Sequence, residues 1–270
     1  AFTWAKKEGR SLAAFNAITL DHAQAIIWGA ESLDAPVIIQ LSENAISYQR
    51  DATPLARAIV TLAESASARV VLHLDHISSS NIAHNVTEWG FSSLMWDSSH
   101  SDFGANLSAT SEVVRFAHSR GIWVEAEIGV IGGKDGAHAR GVRTKPSEAL
   151  AFAESTQVDA LAVAVGSSHA MSEKTASLDV ELIAEIYGLL KIPLVLHGSS
   201  GVPDDMLRAA CAAGITKVNI GTALNQAATA EVRKVLNEDA GLSDPRRYLG
   251  PARGAMVATV EHYLRVVSAK

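Results

Sequence analysis

Eight short apolar runs, each followed by a longer amphipathic stretch, constrain this chain more than any other feature. The runs are Leu12–Asn16, Pro36–Ser42, Ala68–His76, Ser92–Ser99, Gly121–Gly129, Ala160–Gly166, Pro193–Ser199 and Lys217–Thr222. Several are apolar almost throughout rather than alternating, the pattern of parallel strands covered on both faces. Between them stand helix-like segments such as "DHAQAIIWGAESL", "TPLARAIVTLAESA" and "DDMLRAACAAG", the last closed by Gly214. Strand–helix alternation implies an α/β fold. Eight such units in 270 residues predict a (β/α)8 TIM barrel, with an open doubly wound sheet as the second choice. No Pro/Gly linker divides the chain, so residues 1–270 are expected to form a single domain.

A barrel of this kind gathers its chemistry at the C-terminal ends of its strands. Here those ends read "AFN", "IQLSEN", "LHLDH", "MWDSSH", "VEAEIG", "AVGSSH", "LVLHGSSG" and "VNIGT". The ends of strands three, six and seven carry His76, His169 and His197, and three neutral imidazoles converging on one axis make a divalent-metal site with open positions. Asp97 and Glu127 also end strands and are candidates for alternate ligands or for carboxylates that orient the histidines. Asp75 precedes His76, so strand alternation predicts that it points differently, with the reach of a proton-transfer group. "HGSSG" and "NIGT" close the last two strands, where barrels commonly bind phosphate; Gly198, Ser200, Asn219, Gly221 and Thr222 are the candidates.

Composition narrows the partners. With 48% hydrophobic and 19% charged residues the chain is a folded globular type, and a net charge of −6 with scattered basic residues recommends neither nucleic acid nor an anionic membrane. The lone Cys211 excludes an internal disulfide, and the start "AFTWAKKEGRS" lacks a signal-peptide core, so a cytoplasmic location is expected.

Taken in order, "AFN", "LHLDH", "MWDSSH", "VEAEIGVIGG", "VDALAVAVGSSH", "PLVLHGSSG", "KVNIGT" and "DPRRYLGPAR" resemble the class II, metal-dependent ketose-bisphosphate aldolases along nearly the whole chain. The resemblance implies Zn2+ on His76, His169 and His197, with room for another divalent metal and for a monovalent cation. It implies that Asp75 moves the proton of the C4 hydroxyl, and that Gly198–Ser200 and Asn219–Thr222 hold the dihydroxyacetone-phosphate end of a phosphorylated ketose. Gln40 and Ser42 match positions near the distal end of the substrate. The implied reaction is reversible aldol cleavage to dihydroxyacetone phosphate and an aldehyde through a zinc-stabilised enediolate, in a homo-oligomer, dimer or tetramer.

The chain also departs from the family pattern. "GGKDG" places Asp135 where a proton-moving glutamate is usual, "DSSH" replaces Asp-Gly-Ser-His, and Ser172 stands where tyrosine is common. Arg253, in "GPARG", is the candidate for the distal group, where some relatives place the arginine at the position of Gly250. These changes point to a substrate other than fructose 1,6-bisphosphate. Fructose or tagatose bisphosphate, a deoxyketogluconate phosphate and a sulfonated ketose 1-phosphate are all chemically compatible. Three rivals share parts of the pattern. A Schiff-base aldolase would need a lysine at a strand's C-terminal end, whereas Lys191 and Lys217 are expected at the opposite face. A zinc hydrolase would share the histidines but not need the phosphate loops, and a sugar-phosphate binding protein would bind without turnover.

Overall fold

The computed structural model describes residues 2, 5, 8–129, 143–167 and 175–268. Its strands are β1 (Leu12–Asn16), β2 (Val37–Ser42), β3 (Val70–Ile77), β4 (Ser93–Trp96), β5 (Trp123–Ile128), β6 (Ala160–Val163), β7 (Leu194–Leu196) and β8 (Ile215–Ile220). Each pairs in parallel with its sequence neighbours, and β8 pairs with β1, closing the barrel. The helices of the described residues follow in chain order. α1 (Leu20–Ser32) comes after β1, α2 (Glu43–Tyr48) and α3 (Thr53–Ser65) after β2, and α4 (Ser80–His84) and α5 (Val86–Trp89) after β3. α6 (Phe103–His118), α7 (Pro146–Thr156), α8 (Val180–Leu189) and α9 (Asp204–Ala213) follow the next four strands, and α10 (Thr222–Glu238) and α11 (Arg246–Ser268) follow β8. The expected closed barrel is therefore the fold, and the open sheet is not. No helix of the described residues is long and apolar enough to cross a membrane.

Period-two alternation sorts the strand residues into two cores. Outward-facing Phe15, Ile39, Leu74, Val124 and Leu161 belong to one large cluster with helix residues such as Ile26, Ile59, Phe152 and Val260. Each such side chain, taken fully from water, contributes about 1.5–3 kcal/mol. Inside the barrel the lower layer is apolar, built from Ala5, Leu12, Ala14 and Ile38 with Phe2 and Val71 packed on it. Beside it Ala160, Ala162 and Ala164 of the β6 segment pack with Met95 and Val195. Three alanines on one inward face leave volume, and longer polar side chains from the other strands occupy it.

The ends of the strands require particular backbone freedom at few places. Gly166, just beyond β6, has φ +122°, and a Cβ there would lie 2.3 Å from the backbone oxygen of Ser177. Neither the conformation nor the backbone neighbour can yield cheaply. Gly166→Ala is expected to cost about 2–4 kcal/mol by strain and overpacking together, read as a lowered urea midpoint. An unchanged midpoint would show that this turn relaxes.

Candidate active site

Alternation places Asn16, Gln40, His73, Asp75, Glu125, Glu127, His197, Lys217 and Asn219 on the inner side of the barrel, and most are buried. At the centre lie two imidazoles. His197 Nδ1 and His76 Nε2 are 2.9 Å apart, with ring centroids at 4.6 Å. Each ring has a carboxylate on its other nitrogen: His76 Nδ1 donates to Asp97 Oδ2 at 2.7 Å, and His197 Nε2 donates to Glu125 Oε1 at 3.0 Å. Those carboxylates engage the outer nitrogens, so the facing pair is left to share a proton or to bind a metal ion, with Asn219 Nδ2 also 3.3 Å from His197 Nδ1. An oxygen of Asp75 joins them, all three ligand atoms lying within 4.8 Å of one another.

The structure corrects the expected orientation of Asp75. Simple alternation would send Asp75 and His76 to opposite faces, yet both reach the same centre. The reason is local: His76 has φ +51°, and the pairing of β3 with β4 shifts register between Leu74 and Ile77. Histidine is among the non-glycine residues enriched in this left-handed region. Asp75 Oδ2 accepts from Asn16 Nδ2 at 2.8 Å and Oδ1 from Asn219 Nδ2 at 3.3 Å. Burial alone would raise its pKa, but the charges of His76, His197 and Lys217, with the Asn16 hydrogen bond, bring it down to about 2. It is therefore a carboxylate throughout the neutral range. A depressed pKa stabilises the fold above the ordinary carboxylate range, and that contribution fades as pH falls toward 2.

Asp97 and Glu127 both stand on the Nδ1 side of His76, Glu127 Oε2 at 3.9 Å. Ser99 links them, donating to Asp97 Oδ1 at 2.7 Å and Glu127 Oε1 at 3.3 Å. The unusual Ser98 of "DSSH" is also used: its hydroxyl donates to Asn106 Oδ1 at 2.7 Å and accepts from Trp96 Nε1 at 3.1 Å. His100 is exposed.

The last two strand ends adjoin each other. Gly198 takes φ +67°, a turn that favours glycine, and Ser199 Oγ donates to the carbonyl of Asn219. Ser200 Oγ accepts from Ala223 N at 3.3 Å, in the first turn of α10. A Cβ on Gly221 would lie 3.1 Å from Asn16 Oδ1, so glycine lets the β8 loop close on β1. Gln40 Nε2 reaches Asn16 Oδ1 at a long 3.5 Å, while Gln40 Oε1 and Asn219 Oδ1 are buried without a hydrogen-bond partner among the described residues. Ser42 Oγ caps α2, accepting from Ala45 N at 3.2 Å. Arg253 is not brought into this cluster by its bonds. Its guanidinium donates to Gln24 Oε1 at 2.5 Å and Asp21 Oδ1 at 3.2 Å and lies 4.7 Å over the Trp28 ring. His169, Asp135 and Ser172 lie outside the described residues.

Beneath the imidazoles runs a charged chain. Glu125 Oε2 accepts from Lys217 Nζ at 2.6 Å, and Lys217 Nζ is 3.5 Å from His73 Nε2, whose Nδ1 meets Ser93 Oγ at 2.9 Å. Burial first, and the Lys217 ammonium second, hold His73 well below its usual range and hence neutral. Lys217 does not face the opposite end of the barrel, as its position in the sequence suggests. β8 starts at Ile215, immediately after Gly214, so Lys217 is an inward mid-strand residue in step with Asn219. Glu125 was legible as well, since "VEAEIG" carries two glutamates two residues apart, and one face must take both. Asn16 is the third member missed, visible only as the polar end of "AFN".

The class II fructose-bisphosphate aldolase family matches residues 1–270. The chain belongs to this family. Its members are lyases that cleave phosphorylated ketoses by aldol chemistry and generally depend on zinc. The fructose-bisphosphate aldolase of Staphylococcus epidermidis is 38% identical over 265 residues, covering 97% of this chain and 93% of that one. That of Thermus caldophilus is 38% identical, covering 95% and 92%. The crystal structure of the YdjI aldolase from Escherichia coli K12 has a TM-score of 0.87 at 31% identity, covering 98% of this chain and 94% of the other.

Breaking the Lys217–Glu125 pair should be costly because it strands a buried charge. Lys217→Met is expected to lose about 3–5 kcal/mol in denaturant unfolding, and Glu125→Gln added to it should recover much of the loss. Additive costs in that double-mutant cycle would show the two side chains to be uncoupled.

Proposed function

We propose that this aldolase cleaves a phosphorylated ketose with His76, His169 and His197 as metal ligands, Asp75 as the proton-transfer group, and the loops after β7 and β8 as the phosphate cradle. The reading rests on one observation: Nε2 of His76 and Nδ1 of His197 face each other at 2.9 Å beside Asp75, each ring held from behind by a carboxylate. That donor set fits a divalent ion of the zinc type. Zinc, when bound, supplies a Lewis acid for the negative charge that cleavage develops on the ketose oxygens.

The chain's own residues do the rest. Asp75, anionic and steadied by Asn16 and Asn219, accepts the proton of the C4 hydroxyl as the C3–C4 bond breaks. Gly198, Ser200, Gly221 and Thr222 line two adjoining loops at the start of α10, whose backbone N–H groups suit an anionic phosphate. Gln40 and Asn219 offer buried amide oxygens to substrate hydroxyls, and Ser42 borders the distal end. Asp135 then returns the proton that yields dihydroxyacetone phosphate. Arg253 would serve the distal group only by exchanging Asp21 and Gln24 for it. Asp97 and Glu127 orient His76 from its far edge and could accept the metal in a displaced position. The same reading makes residues 1–270 one domain, working in the cytoplasm as a homo-oligomer on small sugar phosphates. Net charge −6 agrees with partners other than nucleic acid or membrane.

The test is a panel of ketose phosphates scored for dihydroxyacetone phosphate with and without chelator. His197→Ala should lose most bound zinc and nearly all cleavage, since two histidines seldom hold the ion tightly. Asp75→Asn should retain metal while the rate falls by roughly 10²–10⁴. Release of inorganic phosphate without triose phosphate would instead indicate a hydrolase. For Asp135, the measurement is solvent exchange of the dihydroxyacetone phosphate proton: Asp135→Ala should abolish exchange and leave binding intact, and undiminished exchange would transfer the role to another group.

A further inference from the structure

We propose that Glu43 is a positioning residue, which clamps the turn after β3 and so holds His76 in the left-handed conformation that aims its ring at the centre. The inference rests on the reading of His76 as a metal ligand. A left-handed non-glycine residue costs about 1–3 kcal/mol and persists only where its surroundings over-determine it. At His76 the distortion is closely bracketed. Ser42 pairs with Asp75 on one side, and Ile77 re-enters the ladder opposite Trp96 on the other, its carbonyl accepting from Asp97 N at 2.8 Å.

Among the described residues, one carboxylate takes three donors from the chain just beyond Ile77. Glu43 Oε2 accepts from Ser78 N at 2.6 Å and from Ser79 N at 3.1 Å, and Glu43 Oε1 accepts from Ser78 Oγ at 3.0 Å. Three donors within three residues of His76 therefore converge on a side chain from the neighbouring βα loop. Glu43 is itself anchored, because α2 begins there and is capped by Ser42. The end of β2 thus holds the strand before His76 by pairing and the turn after it by Glu43. Two backbone N–H groups and a hydroxyl held by one side chain of the right reach leave the turn little freedom to unwind. Were it to unwind, residue 76 would revert to ordinary alternation and its imidazole would leave the Asp75–His197 face.

Metal-free protein titrated with Co2+ tests this, with binding and the visible ligand-field spectrum read beside the thermal unfolding of the apo form. Glu43→Ala should weaken Co2+ binding about tenfold and alter the bands, as loss of an orienting partner does. Glu43→Asp keeps the charge but not the reach, and should behave like Glu43→Ala. Glu43→Gln keeps an oxygen for the two backbone N–H groups and should stay within about threefold of wild type. In turnover at saturating metal, Glu43→Ala should lower kcat with little change in KM. Wild-type affinity and spectrum in Glu43→Ala would overturn the proposal. So would the reverse ranking, Glu43→Asp retained and Glu43→Gln lost, or a fall in melting temperature with binding unchanged. Wild-type protein that binds no Co2+ would overturn the metal-centre reading itself, and the clamp with it.

Discussion

The carboxylate of Glu125 is shared between two cations' worth of donors, the Lys217 ammonium on one oxygen and the His197 imidazole on the other. All three side chains are fully buried. An ion pair in such a place is weak evidence for stability, because removing both charges from water costs several kcal/mol per ion before their attraction is counted. Its consequence lies in geometry. With Lys217 on one oxygen, the other oxygen of Glu125 is aimed at His197 Nε2, which leaves Nδ1 turned upward to His76. The barrel core and the candidate site are therefore one hydrogen-bonded object, and the fold cannot repack its middle layer without moving the imidazole above it.

Much of this was readable in the chain. Eight strands were expected and eight closed the barrel, because parallel strands buried on both faces leave an unmistakable apolar signature. His76, His197, Asp75 and Asn219 were placed together from their position at strand ends, a consequence of topology alone. What misleads is a strand boundary and a local irregularity. Read as the first residue of β8, Lys217 belongs at the far end of the barrel, but the β-branched Ile215 and Thr216 directly after Gly214 extend the strand two residues earlier and make Lys217 a mid-strand residue. Asp75 was assigned a separate direction because a register shift at a single residue does not show in the sequence; "LHLDH" reads as regular strand to its last letter.

Partners on different strands are harder still. That Glu125 of β5 meets Lys217 of β8 across the barrel, or Glu43 the Ser78 turn of the next strand, depends on barrel stagger and loop path, neither of which a one-dimensional pattern contains. The departures from the family pattern are similarly unequal. Ser98 proves to be absorbed into bonds with Trp96 and Asn106, so it alters the scaffold beside β4. Arg253, by contrast, is occupied between α1 and α11, where it joins the first and last helices of the described ring.

The alanine face of β6 has a consequence for how such a site can diversify. Ala160, Ala162 and Ala164 give up the space that Lys217, Glu125 and His73 fill, so the floor under the imidazoles is both crowded and charged. Trimming a charged floor residue to deepen this pocket would strand its buried partner, and the alanines have nothing left to lose. New substrate lengths must be accommodated at the rim, where loops differ freely and cost the core nothing. Variation is thereby confined to the rim, while the floor beneath the imidazoles stays at a constant depth.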